Sequence, residues 1–146
     1  MGVQKLKRLY TAGTENVAWV EGYSNGDGSQ SKEADHLRVD RPGLDGERTW
    51  VTDAAVDLTA WSMLKVEWEA SGAGGASDTA SLVVSTNKTA SAATYDARVQ
   101  SIGTFPRLEQ SIDISALSGN HYVRIHSTHT GDAEGPLYAY KVWLEP

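Results

Sequence analysis

The most constraining feature of this chain is a strict alternation of apolar and charged residues from Leu64 to Ala70. The alternate positions are apolar and are separated by the charged residues Lys65, Glu67 and Glu69. A period of two residues is that of a β-strand with one face buried and the other in water. No segment carries a sustained period of 3.6 residues, so the sequence predicts an all-β protein whose longest helix is one turn at 59–62.

A second feature is a bend that occurs twice, each time shortly before a strand. The segment Asp57-Leu58-Thr59-Ala60-Trp61-Ser62 matches Asp113-Ile114-Ser115-Ala116-Leu117-Ser118 in both its acidic and its hydroxyl positions. Such side chains bond nearby backbone N–H groups and turn the chain. We therefore predict two corners at which the chain passes between two packed sheets, with Trp61 as a plug beneath one end.

The remaining sequence contains nine or ten short β-rich segments separated by turn signals. This spacing predicts an antiparallel two-sheet β-sandwich of the jelly-roll type. The 146 residues fit a single domain, 1–146, which is long enough to bury a core without disulfides, and the chain has no cysteine. Pro106 predicts an edge position or a bulge in its strand.

Charge and hydropathy restrict the classes of partner. The net charge is -6 and the isoelectric point is about 5.1, whereas nucleic-acid binding usually requires a basic surface. The first ten residues lack the apolar stretch of a signal peptide, and no window approaches a membrane span. We expect no nucleic-acid partner, no membrane partner and synthesis without a secretion signal.

Signals for catalysis and metal binding are weak. No nucleophile elbow is present, and the sequence does not place any two carboxylates opposite one another, so we predict a protein that is not an enzyme. We predict no metal site and no cofactor. The loop oxygens of 25–28, and of Asp132 with Glu134, leave a structural calcium as the alternative, but Asn-Gly and Asp-Gly are also the commonest hairpin turns.

Aromatic residues are the main indication of a binding surface, with five Trp and six Tyr against one Phe. Such side chains gather at interfaces and ligand platforms. In 122–126, Val123 and Ile125 are expected to point inward, which leaves Tyr122, Arg124 and His126 in an outward row. We predict that this row contacts a ligand or partner; the alternative is an ordinary solvated sheet face.

The last strand also carries aromatic residues. Strict alternation would put Tyr138 and Tyr140 on one face and Trp143 on the other. Because both faces would then be partly apolar, we predict that Tyr138, Tyr140 and Trp143 contact another subunit of a homo-oligomer.

Several short motifs, in this order along the chain, resemble a β-sandwich module of virion-surface and tail proteins from phages of Gram-positive bacteria. They are Leu9-Tyr10 with Gly13 and Glu15, Gly22-Tyr23, Asp57-Leu58-Thr59 with 64–68, Val84-Ser85-Thr86-Asn87-Lys88, and Asp113-Ile114-Ser115 with 117–119 and 122–126. The chain departs from that family at Asn16, where the family has Cys, and it has no fibre or docking segment, which favours a small accessory protein.

The resemblance implies a carbohydrate-binding-like jelly roll in a virion component. We therefore expect a non-enzymatic, oligomeric adhesion protein on the virion surface, with other virion proteins as partners and a host cell-surface glycan as ligand. One alternative is a decoration protein that clamps the capsid. Another is a carbohydrate-binding module of a cellular glycan hydrolase, and a third is a glycan hydrolase itself.

Overall fold

The computed structural model describes residues 5–40, 45–71, 78–129 and 135–146, and no helix occurs within these ranges. They form fourteen strands, which are Lys7–Thr11 (β1), Thr14–Glu15 (β2), Trp19–Glu21 (β3), Asn25–Gly26 (β4), Ser29–Lys32 (β5), Leu37–Asp40 (β6), Gly46–Thr52 (β7), Val56–Asp57 (β8), Met63–Ala70 (β9), Thr79–Ser85 (β10), Ala97–Ile102 (β11), Phe105–Asp113 (β12), Asn120–His129 (β13) and Leu137–Glu145 (β14).

The strands form two antiparallel sheets that pack face to face. Sheet I has the order β12-β9-β14-β1-β2, with β6 beside the first half of β14 and β5 beside β6. Sheet II has the order β11-β10-β13-β7-β3, with β4 on β7 and β8 on β13. The predicted two-sheet antiparallel sandwich is confirmed.

The alternating segment lies in β9, inside sheet I between β12 and β14. Its apolar side chains are fully buried, and its charged side chains lie on the outer face of the sheet. Trp68 is at the centre of the core and donates its indole N–H to Gln110 at 2.7 Å. Trp19 of sheet II donates to the carbonyl of Leu9 in sheet I at 3.0 Å, so a buried hydrogen bond joins the layers.

Both predicted corners are confirmed. The Oδ1 atom of Asp57 accepts hydrogen bonds from the backbone N–H and the hydroxyl of Thr59 at 3.0 and 2.6 Å. In the second corner, Oδ1 of Asp113 accepts the equivalent bonds from Ser115 at 2.9 and 2.6 Å. These bonds lower the pKa of both aspartates. The first corner leads from β8 of sheet II to β9 of sheet I, and the second from β12 of sheet I to β13 of sheet II.

Some local expectations need correction. The predicted helical turn at 59–62 is a simple turn, closed by the bond from Trp61 N–H to the carbonyl of Leu58 at 3.0 Å. Trp61 packs against the core as expected. Pro106 lies in edge strand β12 where the register shifts, which confirms its predicted edge or bulge position. Within the described ranges, no helix has the length and apolar character needed to span a membrane.

Candidate functional site

A β-bulge in β14 decides which side chains face outward from sheet I. The register with β9 shifts between Ala139 and Lys141. A bulge places two successive residues opposite one, which changes the alternation of faces downstream. Tyr138, Tyr140 and Trp143 therefore all lie on the outer face, and the prediction that Trp143 faces away from the two tyrosines was wrong. We call this outer face, formed by β12, β9, β14, β1 and β6, the platform face.

A groove of about 380 Å³ lies at the Trp143 end of the platform face. Trp143 is flanked by Arg8 of β1 and Lys65 of β9, its neighbours in the register. The residues that line the groove are Leu6, Arg8, Tyr10, Thr11, Glu67, Glu109, Lys141, Trp143 and Glu145. A concave site with aromatic walls and a few fixed polar groups is typical of small-ligand sites.

Ion pairs cross the groove. The Lys65 ammonium lies 2.7 Å from Glu145 and 3.4 Å from Glu109, and the pKa of Lys65 is raised mainly by its bond to Glu145. Arg107 Nε donates to Glu67 at 2.6 Å, and Lys141 lies 3.9 Å from the same carboxylate. The groove therefore presents fixed acceptors and donors side by side.

Glu67 and Glu109 are direct partners in the register of β9 and β12, so the structure brings together two carboxylates that the sequence could not pair. A glycosidase requires one such group to be held as a proton donor by an apolar environment. Here Glu67 is in contact with Arg107 and Lys141, and Glu109 with Lys65. Both carboxylates therefore lie within ion-pair distance of cations on the platform face.

A second group of rings lies at the other end of β14. The His36 ring is 4.4 Å from the Tyr138 ring and 5.5 Å from the Tyr140 ring. Tyr140 donates its hydroxyl to Glu69 at 2.5 Å, and burial together with this bond raises its pKa. The Arg107 guanidinium covers the Tyr140 ring at 3.7 Å.

The segment that carries His36 is fixed by a close approach at Gly13. Gly13 has a φ of 96°, and a Cβ there would lie 2.0 Å from the Ala34 carbonyl oxygen. Only glycine combines this conformation with this contact. The β1–β2 turn therefore holds the 33–36 segment against the edge of the platform face.

The predicted ligand row on β13 has the expected direction but not the expected exposure. Val123 and Ile125 are in the core, and Tyr122, Arg124 and His126 lie on the outer face of sheet II. Tyr122 is partly exposed, whereas Arg124 and His126 have no exposed surface. The segment 86–96, which we call the strap, lies over this face.

Arg124 holds the strap through its backbone. Its guanidinium donates to the carbonyl of Asn87 at 2.8 Å, to that of Ser91 at 3.2 Å and to that of Thr94. Burial lowers the pKa of Arg124, but an arginine side chain remains charged in proteins. Charge-assisted bonds to three carbonyls therefore tie the strap to the sheet.

Further bonds fix the strap along its length. Arg98 donates to the carbonyl of Ala92 at 2.9 Å, and the N–H of Ala92 donates to the carboxylate of Glu47 at 3.3 Å. Lys88 donates to the carbonyl of Asp53 at 2.7 Å. The strap therefore covers the part of sheet II that the sequence analysis assigned to ligand contact.

His126 is buried as a neutral imidazole. Its Nδ1 lies 2.8 Å from the Thr49 hydroxyl, and its Nε2 has no hydrogen-bond partner among the described residues. Burial, with the nearby charges of Arg124 and Arg98, lowers the pKa of His126 to about 3. The imidazole is therefore uncharged at any ordinary pH.

No group of three or more His, Asp or Glu side chains in the described part of the chain could hold a metal ion. The turn at 25–28 contains β4, which pairs with β7. Asp132 and Glu134, the other candidates for calcium, lie outside the described residues. The structural calcium remains an untested alternative.

Sequence reasoning missed most residues of the platform face. Glu67 and Lys65 were predicted to face solvent, but nothing in the sequence pairs them with Glu109 or Trp143. Arg107 follows a proline in a strand with irregular register, so its direction could not be read from alternation. The only available signal was the aromatic content of β14.

No protein-family model matches the chain, and no curated protein sequence matches it. Similar solved structures include a xylan-binding module, CBM86, from Roseburia intestinalis, at 14% identity and a TM-score of 0.56, with 99% of this chain and 96% of that chain covered. A family 11 carbohydrate-binding module from Clostridium thermocellum, in complex with a β-1,3-1,4-mixed-linked tetrasaccharide, has 14% identity and a TM-score of 0.58, with 99% and 97% covered.

The Endo-D glycoside hydrolase domain from Streptococcus pneumoniae R6 also matches, at 14% identity and a TM-score of 0.60. The match covers 87% of this chain but 21% of that chain. At such low identity these likenesses show the fold alone. The chain thus has the jelly-roll sandwich architecture of carbohydrate-binding modules.

Replacing Arg124 with Met tests the attachment of the strap. The change keeps an unbranched side chain but leaves three carbonyls without their donor, so we expect the free energy of unfolding to fall by about 2–4 kcal/mol. Urea denaturation measures this change. The matched control is Arg8→Met, at an exposed position, where we expect a change within about 0.5 kcal/mol; equal stabilities of the two variants would contradict the assignment.

The buried His126 predicts a pH dependence of stability. An unfolded imidazole titrates near 6.5 and the folded one near 3, so the unfolded state binds more protons between these values and stability falls as the pH decreases. We expect His126 to reduce the free energy of unfolding by roughly 2 kcal/mol from pH 7 to pH 5. In the His126→Gln variant this slope should be lost, and an unchanged slope would show that other groups cause it.

Proposed function

We propose that this protein binds a glycan on the platform face and does not cleave it. The observation that carries the proposal is the groove beside Trp143, where an aromatic ring lies among paired carboxylates and cations. On the outer face of sheet II the strap covers Arg124 and His126, so the row predicted on β13 is not accessible and the groove on the platform face is.

The chemistry of the groove suits a sugar. A pyranose ring has an apolar face of C–H groups and a rim of hydroxyls that both donate and accept hydrogen bonds. Trp143 supplies a flat ring for the apolar face, because an indole combines a large apolar area with a polar edge. Glu67, Glu109 and Glu145 supply acceptors, and Arg8 and Lys141 supply donors.

The likeness to binding modules supports the same proposal. The modules from Roseburia intestinalis and Clostridium thermocellum are described as binding xylan and as holding a mixed-linked tetrasaccharide. Both correspond to nearly the whole of this chain, whereas the glycoside hydrolase match covers 21% of its chain. Fold does not determine function, but the near-complete match to these two modules supports a binding role.

Replacing Trp143 with Ala tests the proposed site. Loss of a central aromatic contact usually costs about 2 kcal/mol or more of binding free energy, so we expect at least a roughly 30-fold loss of affinity for the best glycan found by array screening. Isothermal titration calorimetry measures the affinity. Tyr95→Ala is the control, since Tyr95 is exposed on the other side of the sandwich.

Two outcomes would count against this site. If Trp143→Ala binds as tightly as the unchanged protein, the platform face is not where the glycan binds. If instead Trp143→Ala changes the sedimentation coefficient and leaves glycan affinity intact, Trp143 serves subunit contact, as the sequence analysis predicted for Tyr138, Tyr140 and Trp143.

We further propose that the protein is displayed on a virion surface as a homo-oligomer. This proposal is supported by the sequence resemblance to phage virion-surface modules and not by the similar solved structures. Immunogold labelling of particles purified from a producing culture tests it. We expect label at the particle surface, and absence of the protein from purified particles would contradict this location while leaving the glycan-binding proposal intact.

A further inference from the structure

Arg107 occupies a distinctive position on the platform face. It lies between the Trp143 groove and the rings at the other end of β14, and its guanidinium covers Tyr140 at 3.7 Å. Its Nε donates to Glu67, which lines the groove. The flat cation is thereby fixed on two sides, by a ring beneath and a carboxylate at its edge.

The hydrogen-bonding capacity of Arg107 is only partly used. Among the described residues its Nε alone has a hydrogen-bond acceptor, which leaves the two terminal amino groups available. About half of the side chain is exposed, 47% by relative area. Because the guanidinium is held by Tyr140 and Glu67, its free donors have a fixed direction before any ligand arrives, which lowers the entropic cost of binding.

Tyr140 is itself held in place. Its hydroxyl donates to Glu69 at 2.5 Å, and its ring contacts His36. These two contacts hold the ring beneath Arg107. Glu69 therefore positions the Tyr140 ring, and the ring positions the Arg107 guanidinium.

The charges around Arg107 are nearly balanced. The groove and the Tyr140 ring are surrounded by four basic side chains, Arg8, Lys65, Arg107 and Lys141, and by five acidic ones, Asp35, Glu67, Glu69, Glu109 and Glu145. A surface of this kind offers donors and acceptors without an excess of positive charge, so a polyanion gains little from it and a hydroxyl-rich neutral chain gains most.

We propose that Arg107 is the specificity-determining residue of the platform face and that the ligand is an uncharged polysaccharide. The inference rests on the proposed glycan binding. It adds the chemical class of the ligand and the residue that selects that class. The two free amino groups of Arg107 donate to hydroxyl and ring oxygens of one sugar unit, while the neighbouring unit stacks on Trp143.

The test compares Arg107→Lys with Arg98→Lys in the 146-residue chain. Lysine keeps the charge but loses the flat fork that lies on a ring and presents paired donors. Arg98 is a matched control, since its guanidinium also covers a tyrosine, Tyr95, at 4.1 Å, but on the far side of the sandwich. The probes are xylan, mixed-linked β-glucan and galactomannan as neutral polymers, and polygalacturonate and hyaluronate as anionic ones, each at about 50 and 500 mM NaCl.

We expect the unchanged protein to bind at least one neutral polymer with an affinity that varies less than about two-fold with salt. Arg107→Lys should lower that affinity by about ten-fold or more, and Arg98→Lys by less than two-fold. Tyr140→Leu, which removes the supporting ring, should lower it to the same extent as Arg107→Lys. Circular dichroism and urea denaturation establish that each variant is folded.

The other outcomes overturn the inference in distinguishable ways. If Trp143→Ala abolishes binding but Arg107→Lys does not weaken it, Arg107 is not the determinant and the glycan site remains. If only anionic polymers bind, with affinity that falls steeply as salt increases, the assigned ligand class is wrong. If no polymer binds at either salt concentration, both the inference and the proposed function fail.

Discussion

The buried guanidinium of Arg124 is the interaction on which the division of surfaces depends. A charge without exposed surface is costly unless it is hydrogen-bonded. Both terminal amino groups of Arg124 donate to backbone carbonyls of the strap, three in all, while its Nε has no acceptor among the described residues. Strap and arginine therefore require each other. Together they cover the β13 region of the outer face of sheet II, and sheet I provides the accessible platform face.

The platform in turn depends on a single extra residue in β14. Without the bulge near Tyr140, strict alternation would place Trp143 on the opposite face of the sheet from Tyr138 and Tyr140, and one of the two groups would point into the core. With the bulge, β14 buries Leu137, Ala139, Val142 and Leu144 in the core and still directs its aromatic side chains to the outer face of sheet I. The bulge thus allows one strand to contribute to the core and to place three aromatic side chains on the candidate binding surface.

The sequence was sufficient to predict the architecture, because the alternation of apolar residues and the Asp side-chain bonds at the corners depend only on residues that are close together in the chain. Leu64 to Ala70 and the two Asp-containing corners each fix their own conformation, and both corners connect the sheets as predicted. The surfaces were harder, because they depend on long-range contacts. Nothing near Arg124 indicates that a segment some thirty residues earlier would cover it, and nothing near Arg107 indicates the ring of Tyr140. The aromatic content of β14 was visible in the sequence, but the bulge places Trp143 on the same face as the two tyrosines, which alternation did not predict.

Nuclear magnetic resonance titration tests the central claim most directly, since it reports which face a glycan touches. With the best-binding neutral oligosaccharide, we predict shifts of the Trp143 indole N–H and of backbone amides in β14 and β12. Amides of the strap and of Tyr122 should stay unchanged. Shifts confined to the strap and β13 would contradict the account, because they would show that the ligand binds the face that Arg124 and the strap are proposed to close.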